Sequence, residues 1–311
     1  MTKLLSHLKP HIRWVILGAT LFFLVSTFKQ NWQDVAEIQL SAQDWMLLGL
    51  SFLGTLVAQT WAGWVWGWIL QEFDPTTDRR WATRIFLKTN IAKYLPGNIW
   101  HFYRRIGAAR KAGISVETAT LSVVLEALLM AASALLVAFS IADFQNWQWQ
   151  ALGLVAVAIS IHPRILSPVA GRLSVLKSKA FRDKEPQKNT CQMRRYPLLP
   201  WLGELGFVLW RGVGFVLIVS AVGSISLERL PQLVGAFSLA WLLGLILPGA
   251  PGGLGVFEVA VLALLDGSFS SGELLSAVAI YRVVSILAEV GGAGLAYLDE
   301  HWQGAAKVVD G

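Results

Sequence analysis

Five charged residues sit where a charge is costly. They are Glu126 in "VVLEALLM", Arg211 in "VLWRGVGF", Glu258 in "GVFEVAVL", Arg282 in "AIYRVVSI", and Glu289 two helical turns after Arg282. Glu204 lies nearer the end of its apolar stretch. On insertion scales a charge at the centre of a membrane helix costs about 2.5–3.5 kcal/mol, so each of these residues needs a partner or water. Arg282 and Glu289 share a helix face. Two chemistries fit the set. In the first, Arg211 and Arg282 hold a lipid phosphate while Glu126, Glu258 and Glu289 balance them. In the second, Glu–Arg pairs lock helices together. Buried ion pairs seldom stabilise more than apolar packing does, which argues against a purely structural role for all five.

A second kind of site is written in glycine and proline. "YLPGNIWHFYRR" at 94–105 contains Pro96, Gly97 and Asn98. Its Leu-Pro-Gly returns at 247–249 in "LPGAPGGLGVFE", which carries Pro248, Gly249, Pro251, Gly252, Gly253 and Gly255. Each copy is followed by a short apolar piece, a Gly/Ser-containing turn and a long apolar stretch with a charge inside it, Glu126 or Arg282. Transporters are often built from two such repeats, with the broken segments marking the site. Non-helical backbone at membrane depth must line a watery cavity or be buried in protein, because lipid cannot satisfy its N–H and C=O groups. A helix that starts after a Gly-rich break also points free N–H groups and the positive end of its dipole into that cavity, where an anion fits. The competing reading is that the glycines only permit close helix packing. Arg104, with Arg105, Arg110 and Lys111, reads either as the cytoplasmic flank of a helix or as a phosphate-recruiting mouth. His101 reads as a proton relay or as a hydrogen-bonded interfacial histidine, and Glu258 as a helix cap or a site residue.

The elements that must position these residues follow from composition. Of 311 residues, 55% are hydrophobic and 15% charged, and the mean hydropathy is +0.54. Soluble domains carry about 25% charged residues. The fold class expected is therefore all-α, a polytopic helical membrane protein read as one domain over 1–311. A helix needs roughly 20 apolar residues to cross. Seven crossings are expected, near 14–28, 45–70, 118–142, 148–161, 198–222, 232–247 and 274–298, with two Pro/Gly-broken re-entrant segments at 85–103 and 253–266. The first stretch lacks a small-residue cleavage motif and is read as a retained helix. In "WAGWVWGW" at 61–68, Gly63 and Gly67 leave room for a close neighbour. Lysines and arginines concentrate at the N-terminus, 79–111 and 164–195, whereas 29–44, 143–147 and 299–311 have few. The positive-inside rule then gives a cytoplasmic N-terminus and an external C-terminus. Residues 172–196 form a basic cytoplasmic loop. The net charge of +6 reflects those loops and not nucleic-acid binding. One cysteine, Cys191, excludes an internal disulfide framework, and no Cys/His cluster has metal spacing. No metal, cofactor or nucleotide-binding loop is expected.

The pattern "KTNIAKYLPGNIWHFYRRIGAARKAGIS…TLSVVLEALL" followed by "LILPGAPGGLGVFEVAVLALL…AVAIYRVVSIL" resembles the lysylphosphatidylglycerol synthase transmembrane-region family, the membrane half of the bacterial multiple peptide resistance factor and its stand-alone relatives. The resemblance spans about 10–300. It implies a lipid flippase of the bacterial inner membrane, with a membrane lipid bearing an anionic or phosphate headgroup as its partner. Carried over by motif, the implied site residues are Pro96, Gly97, Arg104, Glu126, Pro251, Gly252, Gly253, Gly255, Glu258 and Arg282. Many relatives place arginine directly after the glutamate at position 126, where this chain has Ala127. With no soluble aminoacyl-transferase domain in the sequence, this chain is expected not to be an enzyme, and any lipid it moves is expected to be made elsewhere. Two alternatives are carried. One is a non-transporting subunit that scaffolds a lipid- or glycan-synthesising enzyme, and the other is an intramembrane lipid-modifying enzyme. A homodimer is a further expected partner.

Overall fold

A computed structural model describes residues 40–95, 98–138, 147–161, 196–247 and 250–309. The expected first span at 14–28, Pro96, Gly97, Pro248, Gly249, Cys191 and all but the last residue of the 172–196 loop lie outside the described residues.

Among the described residues, nine α-helices follow one another: α1 Ala42–Phe73, α2 Arg79–Asn90, α3 Trp100–Lys111, α4 Val116–Ala138, α5 Trp147–Ile161, α6 Leu198–Val222, α7 Leu230–Ile246, α8 Val256–Leu264 and α9 Ser271–Val309. Five helical stretches among the described residues are long and apolar enough to cross a membrane: Ala42–Phe73, Val116–Ala138, Leu198–Val222, Leu227–Ile246 and Ser271–Trp302. They coincide in sequence with five of the expected spans, but the stretch at 232–247, expected as a full crossing, is α7, which breaks after Ile246 and turns back with α8 as one arm of a hairpin. α5 has only 15 residues, about 22 Å of helix at 1.5 Å per residue.

Local chemistry sets the helix starts. Ser41 opens α1 with a reciprocal cap: its Oγ accepts from Asp44 N–H and its own N–H donates to Asp44 Oδ2 at 2.7 Å. Asp78 caps α2 by accepting from the N–H groups of Arg80 and Trp81. Small residues set the helix spacing. A Cβ on Gly63 would stand 3.0 Å from Thr83 Cα, and one on Gly67 3.1 Å from Arg79 Cα, so α1 and α2 touch backbone to backbone.

Antiparallel pairing fixes which ends of the helices lie together. Gly203 near the start of α6 sits against Val65 and Trp68 late in α1, while Gly214 sits against Ser51 early in α1. Glu273 at the start of α9 lies against Gly223 at the end of α6. α9 then runs the length of the bundle until Asp299 pairs with Arg84 at 3.4 Å and Glu300 with Lys88, both on α2. The C-terminal end of α9 therefore lies at the same end of the bundle as the turn between α1 and α2. This corrects the expectation that 79–111 and 299–311 face opposite sides. Asp299 and Glu300 are partners of basic residues on α2 and not a sign of the other side; Asp and Glu carry little topological weight in any case.

The two Pro/Gly-broken segments are hairpins that turn back inside the bundle. The first begins at the α1–α2 turn. Its α2 continues into a 3-10 turn, Ile91–Tyr94, breaks, and returns as α3. Ala82 and Ala109 from its two arms are fully buried in one cluster with Trp66 and Leu70. The second begins at the opposite end, as α7. Breaking after Ile246, it makes a 3-10 turn, Pro251–Gly253, and returns as α8. Gln232 Nε2 donates to Ser268 Oγ at 3.0 Å and closes its base. Entry from opposite ends is the arrangement of inverted-topology repeats.

Candidate functional site

The tips of the hairpins meet, and a cavity of about 100 Å³ lies around the meeting point. That is room for more than a single water. Its walls come from α1, α2, α3, α4, α6, α7, α8 and α9 together with both breaks. The second break is made by backbone that favours glycine. Gly252, Gly253 and Gly255 have φ of 59°, 71° and 88°, and Asn98 in the first break sits at φ 53°, a conformation that asparagine tolerates better than most residues.

Four cations and two carboxylates face this cavity: Lys93, Arg105, Arg211 and Arg282, with Glu126 and Glu289. Three of the cations have carboxylate partners. Lys93 Nζ donates to Glu289 Oε1 at 2.6 Å. The same oxygen accepts from Gln59 Nε2 at 3.2 Å, and Gln59 Oε1 in turn accepts from Asn90 Nδ2 at 3.2 Å. Arg105 Nη1 donates to both oxygens of Glu126, at 2.7 and 2.6 Å. Both side chains are 2% exposed, and the guanidinium lies 3.8 Å above the Phe86 ring centre. Arg282 donates from Nε to Glu258, from Nη1 to Gly252 O at 2.9 Å and from Nη2 to Gly253 O at 2.8 Å. Glu258 also accepts from Gly255 N–H. The expected phosphate ligand Arg282 is therefore committed to holding the Gly-rich break, and Glu258 serves both as its counter-ion and as the cap of α8.

Arg211 is different. Its Nη2 donates to Ser285 Oγ at 3.1 Å and its guanidinium lies 5.0 Å from the Tyr281 ring centre. Among the described residues it has no carboxylate, and its Nε and Nη1 have no hydrogen-bond partner, although the residue is only 5% exposed. Desolvated donors with nothing to meet are costly, so these two call for a partner inside the cavity, whether water or a ligand.

The remaining expected residues fall as follows. Glu126, Arg211, Asn98, Gly252, Gly253 and Arg282 line the cavity. Arg104 is exposed and does not line it; its neighbour Arg105 does. Gly255 starts α8 behind the break. Glu204 is fully buried on α6 with neither oxygen hydrogen-bonded, within electrostatic reach of Glu126 and Arg105. His101 is buried, and that burial, together with Arg105 and Lys93, pulls its imidazole down to about 2. Lys93, Gln59 and Ser285 escaped sequence reasoning, and Arg105 was legible only as a member of the basic cluster around Arg104 and not as a buried partner of Glu126. The i, i+4 spacing of His101, Arg105 and Ala109 would have shown a buried face on α3. The missing arginine after Glu126 is explained as well. Ala127 lines the cavity, and the cation for Glu126 comes from α3.

Fold and site together define an all-α polytopic membrane protein with two broken hairpins joined at a charged internal cavity. The chain belongs to the family described as "Lysylphosphatidylglycerol synthase TM region", whose model matches residues 12–290. It is also 36% identical over 106 residues to an uncharacterized protein of Synechocystis sp., a match that spans 33% of this chain and 32% of that protein.

Proposed function

We propose that this protein is a lipid translocase that moves a phospholipid or another lipid-linked anion across the bacterial inner membrane. In this reading the two hairpins re-enter the bilayer from opposite faces, the N-terminus is cytoplasmic, and the phosphate occupies the cavity while the acyl tails stay in lipid. Arg211 carries the reading: a buried guanidinium with two unmet donors on the wall of a polar cavity, in a chain of this membrane family. Lys93, Arg105 and Arg282 raise the local potential while their carboxylates keep the empty cavity close to neutral. Such pairing lets a site at mid-bundle exist without ligand, because an uncompensated cluster of buried cations would be prohibitive.

Leaflet exchange of fluorescent phosphatidylglycerol in proteoliposomes tests the proposal, with wild type beside Arg211→Gln. Faster exchange in wild type than in protein-free vesicles, reduced about tenfold or more by Arg211→Gln, is the expected result. Equal exchange in wild type and protein-free vesicles for every lipid tried would sink it.

A further inference from the structure

The cavity wall carries an unmet acceptor as well as unmet donors. Glu289 is 3% exposed. Its Oε1 takes Lys93 and Gln59, and the Tyr94 side chain also faces this carboxylate. Its Oε2 is buried and has no hydrogen-bond partner among the described residues. Ser285, which accepts from Arg211, is one helical turn before Glu289 on α9. Side chains at i and i+4 stand about 5–6 Å apart at Cβ. Arg211, held at Ser285, and Glu289 thus line the same cavity, and the α9 residues that hold the one and carry the other are one turn apart. A bare phosphate satisfies the first and leaves the second unmet.

We infer that the cavity reads two features of a headgroup at once: a phosphodiester at Arg211 and a hydrogen-bond donor, ammonium or hydroxyl, at Glu289 Oε2. This rests on the translocase reading and narrows it to phospholipids whose headgroup carries an N–H or O–H beyond the phosphate. A quaternary ammonium headgroup has the charge but no donor, and leaves Oε2 desolvated and unmet. Sites built to bond a substrate N–H or O–H discriminate strongly against analogues that lack it.

The test uses the full chain in vesicles and four acyl-labelled lipids: phosphatidylethanolamine, phosphatidylglycerol, phosphatidyl-N,N-dimethylethanolamine and phosphatidylcholine. The last two differ by one methyl group, which replaces the final N–H. Exchange of the dimethyl lipid should exceed that of phosphatidylcholine by about tenfold, the scale of one buried acceptor left unmet. Glu289→Gln turns that acceptor into an amide N–H while keeping an oxygen for Lys93, and should close the gap. The ethanolamine and glycerol lipids show which donor serves better. Equal exchange of the dimethyl and choline lipids in wild type overturns the inference while leaving translocation intact, and this comparison needs no variant to fold. A full gap retained in Glu289→Gln overturns the assignment to this carboxylate. No exchange of any lipid by wild type removes the translocase reading and this inference with it.

Discussion

Tyr94 lies so close to Gly252 that a Cβ on the glycine would stand 2.7 Å from Tyr94 Cε1. The contact lies between the 3-10 turns of two hairpins that enter the bundle from opposite ends. No side chain fits there, and the backbone at Gly252 (φ 59°, ψ 22°) is left-handed.

Gly252→Ala is accordingly expected to separate the tips. The left-handed conformation alone costs a non-glycine residue about 1–2 kcal/mol, and the methyl group must displace the Tyr94 ring. Leaflet exchange should fall by about tenfold. Gly107→Ala is the control, because a Cβ there meets nothing within 4 Å and alanine favours the helix interior by about 1 kcal/mol. If Gly252→Ala exchanges lipid at the wild-type rate, the junction is not part of the path.

Adjacent arginines on α3 should behave in opposite ways. Arg105→Gln strands Glu126 in a buried position, and Glu126→Gln strands Arg105. Breaking one partner of a buried pair costs about 3–5 kcal/mol, so both variants should express poorly or melt early in detergent. Arg104 is exposed, and Arg104→Gln should match wild type within about 0.5 kcal/mol. Glu204→Leu offers the converse. It removes a buried carboxyl whose oxygens have no hydrogen bond, so its thermal midpoint should equal or exceed that of wild type. A thermal-shift series on the purified variants checks all four.

Much of this architecture is legible in the sequence because membrane helices are governed by length and apolarity. The bounds expected for 198–222 match α6 residue for residue. Helices stop on either side of each Leu-Pro-Gly, at Tyr94 and Trp100 around the first and at Ile246 and Pro251 around the second, as a proline with no backbone donor next to a glycine leads one to expect. The charges inside the spans were visible for the same reason, since each interrupts an apolar run. Their partners were not. Arg105 looks like a member of a basic flank until α3 folds back and turns one face toward α4. Lys93 looks like a loop lysine until Glu289 arrives from 196 residues away. Pairings of that kind depend on which hairpin enters from which end, and no local pattern states it. The C-terminal end was misread through the same gap: Asp299 and Glu300 count as an acidic tail in the sequence and as partners of Arg84 and Lys88 in the bundle.

That correction gives a topology prediction. In a Cys191→Ser background, Thr76→Cys in the α1–α2 turn and His301→Cys near the end of α9 should react with an impermeant thiol reagent from the same face of the membrane. Leu227→Cys, 83% exposed at the start of the α7 segment, should react from the other face. Labelling of Thr76→Cys and His301→Cys from opposite faces would contradict the pairing of α9 with α2.

The last prediction concerns pH. His101 is buried and its imidazole is pulled down to about 2 by desolvation, by Arg105 and by Lys93, whereas an unfolded histidine titrates near 6.5. The folded pKa is the lower one, so the unfolded state takes up the proton first. Stability is full above about pH 6.5 and is lost as pH falls below it, by about 1.4 kcal/mol for each pH unit. Between pH 7.5 and 5.5 this amounts to about 1.4 kcal/mol, a fall of roughly 2 °C in the thermal midpoint for a protein of this size. His101→Gln cannot take up that proton, so its midpoint should fall less over the same interval. Folded His101 then stays neutral over this interval, so leaflet exchange should show no step near pH 6.5 in either protein. A step present in wild type and absent in His101→Gln would restore the histidine as a titrating member of the path.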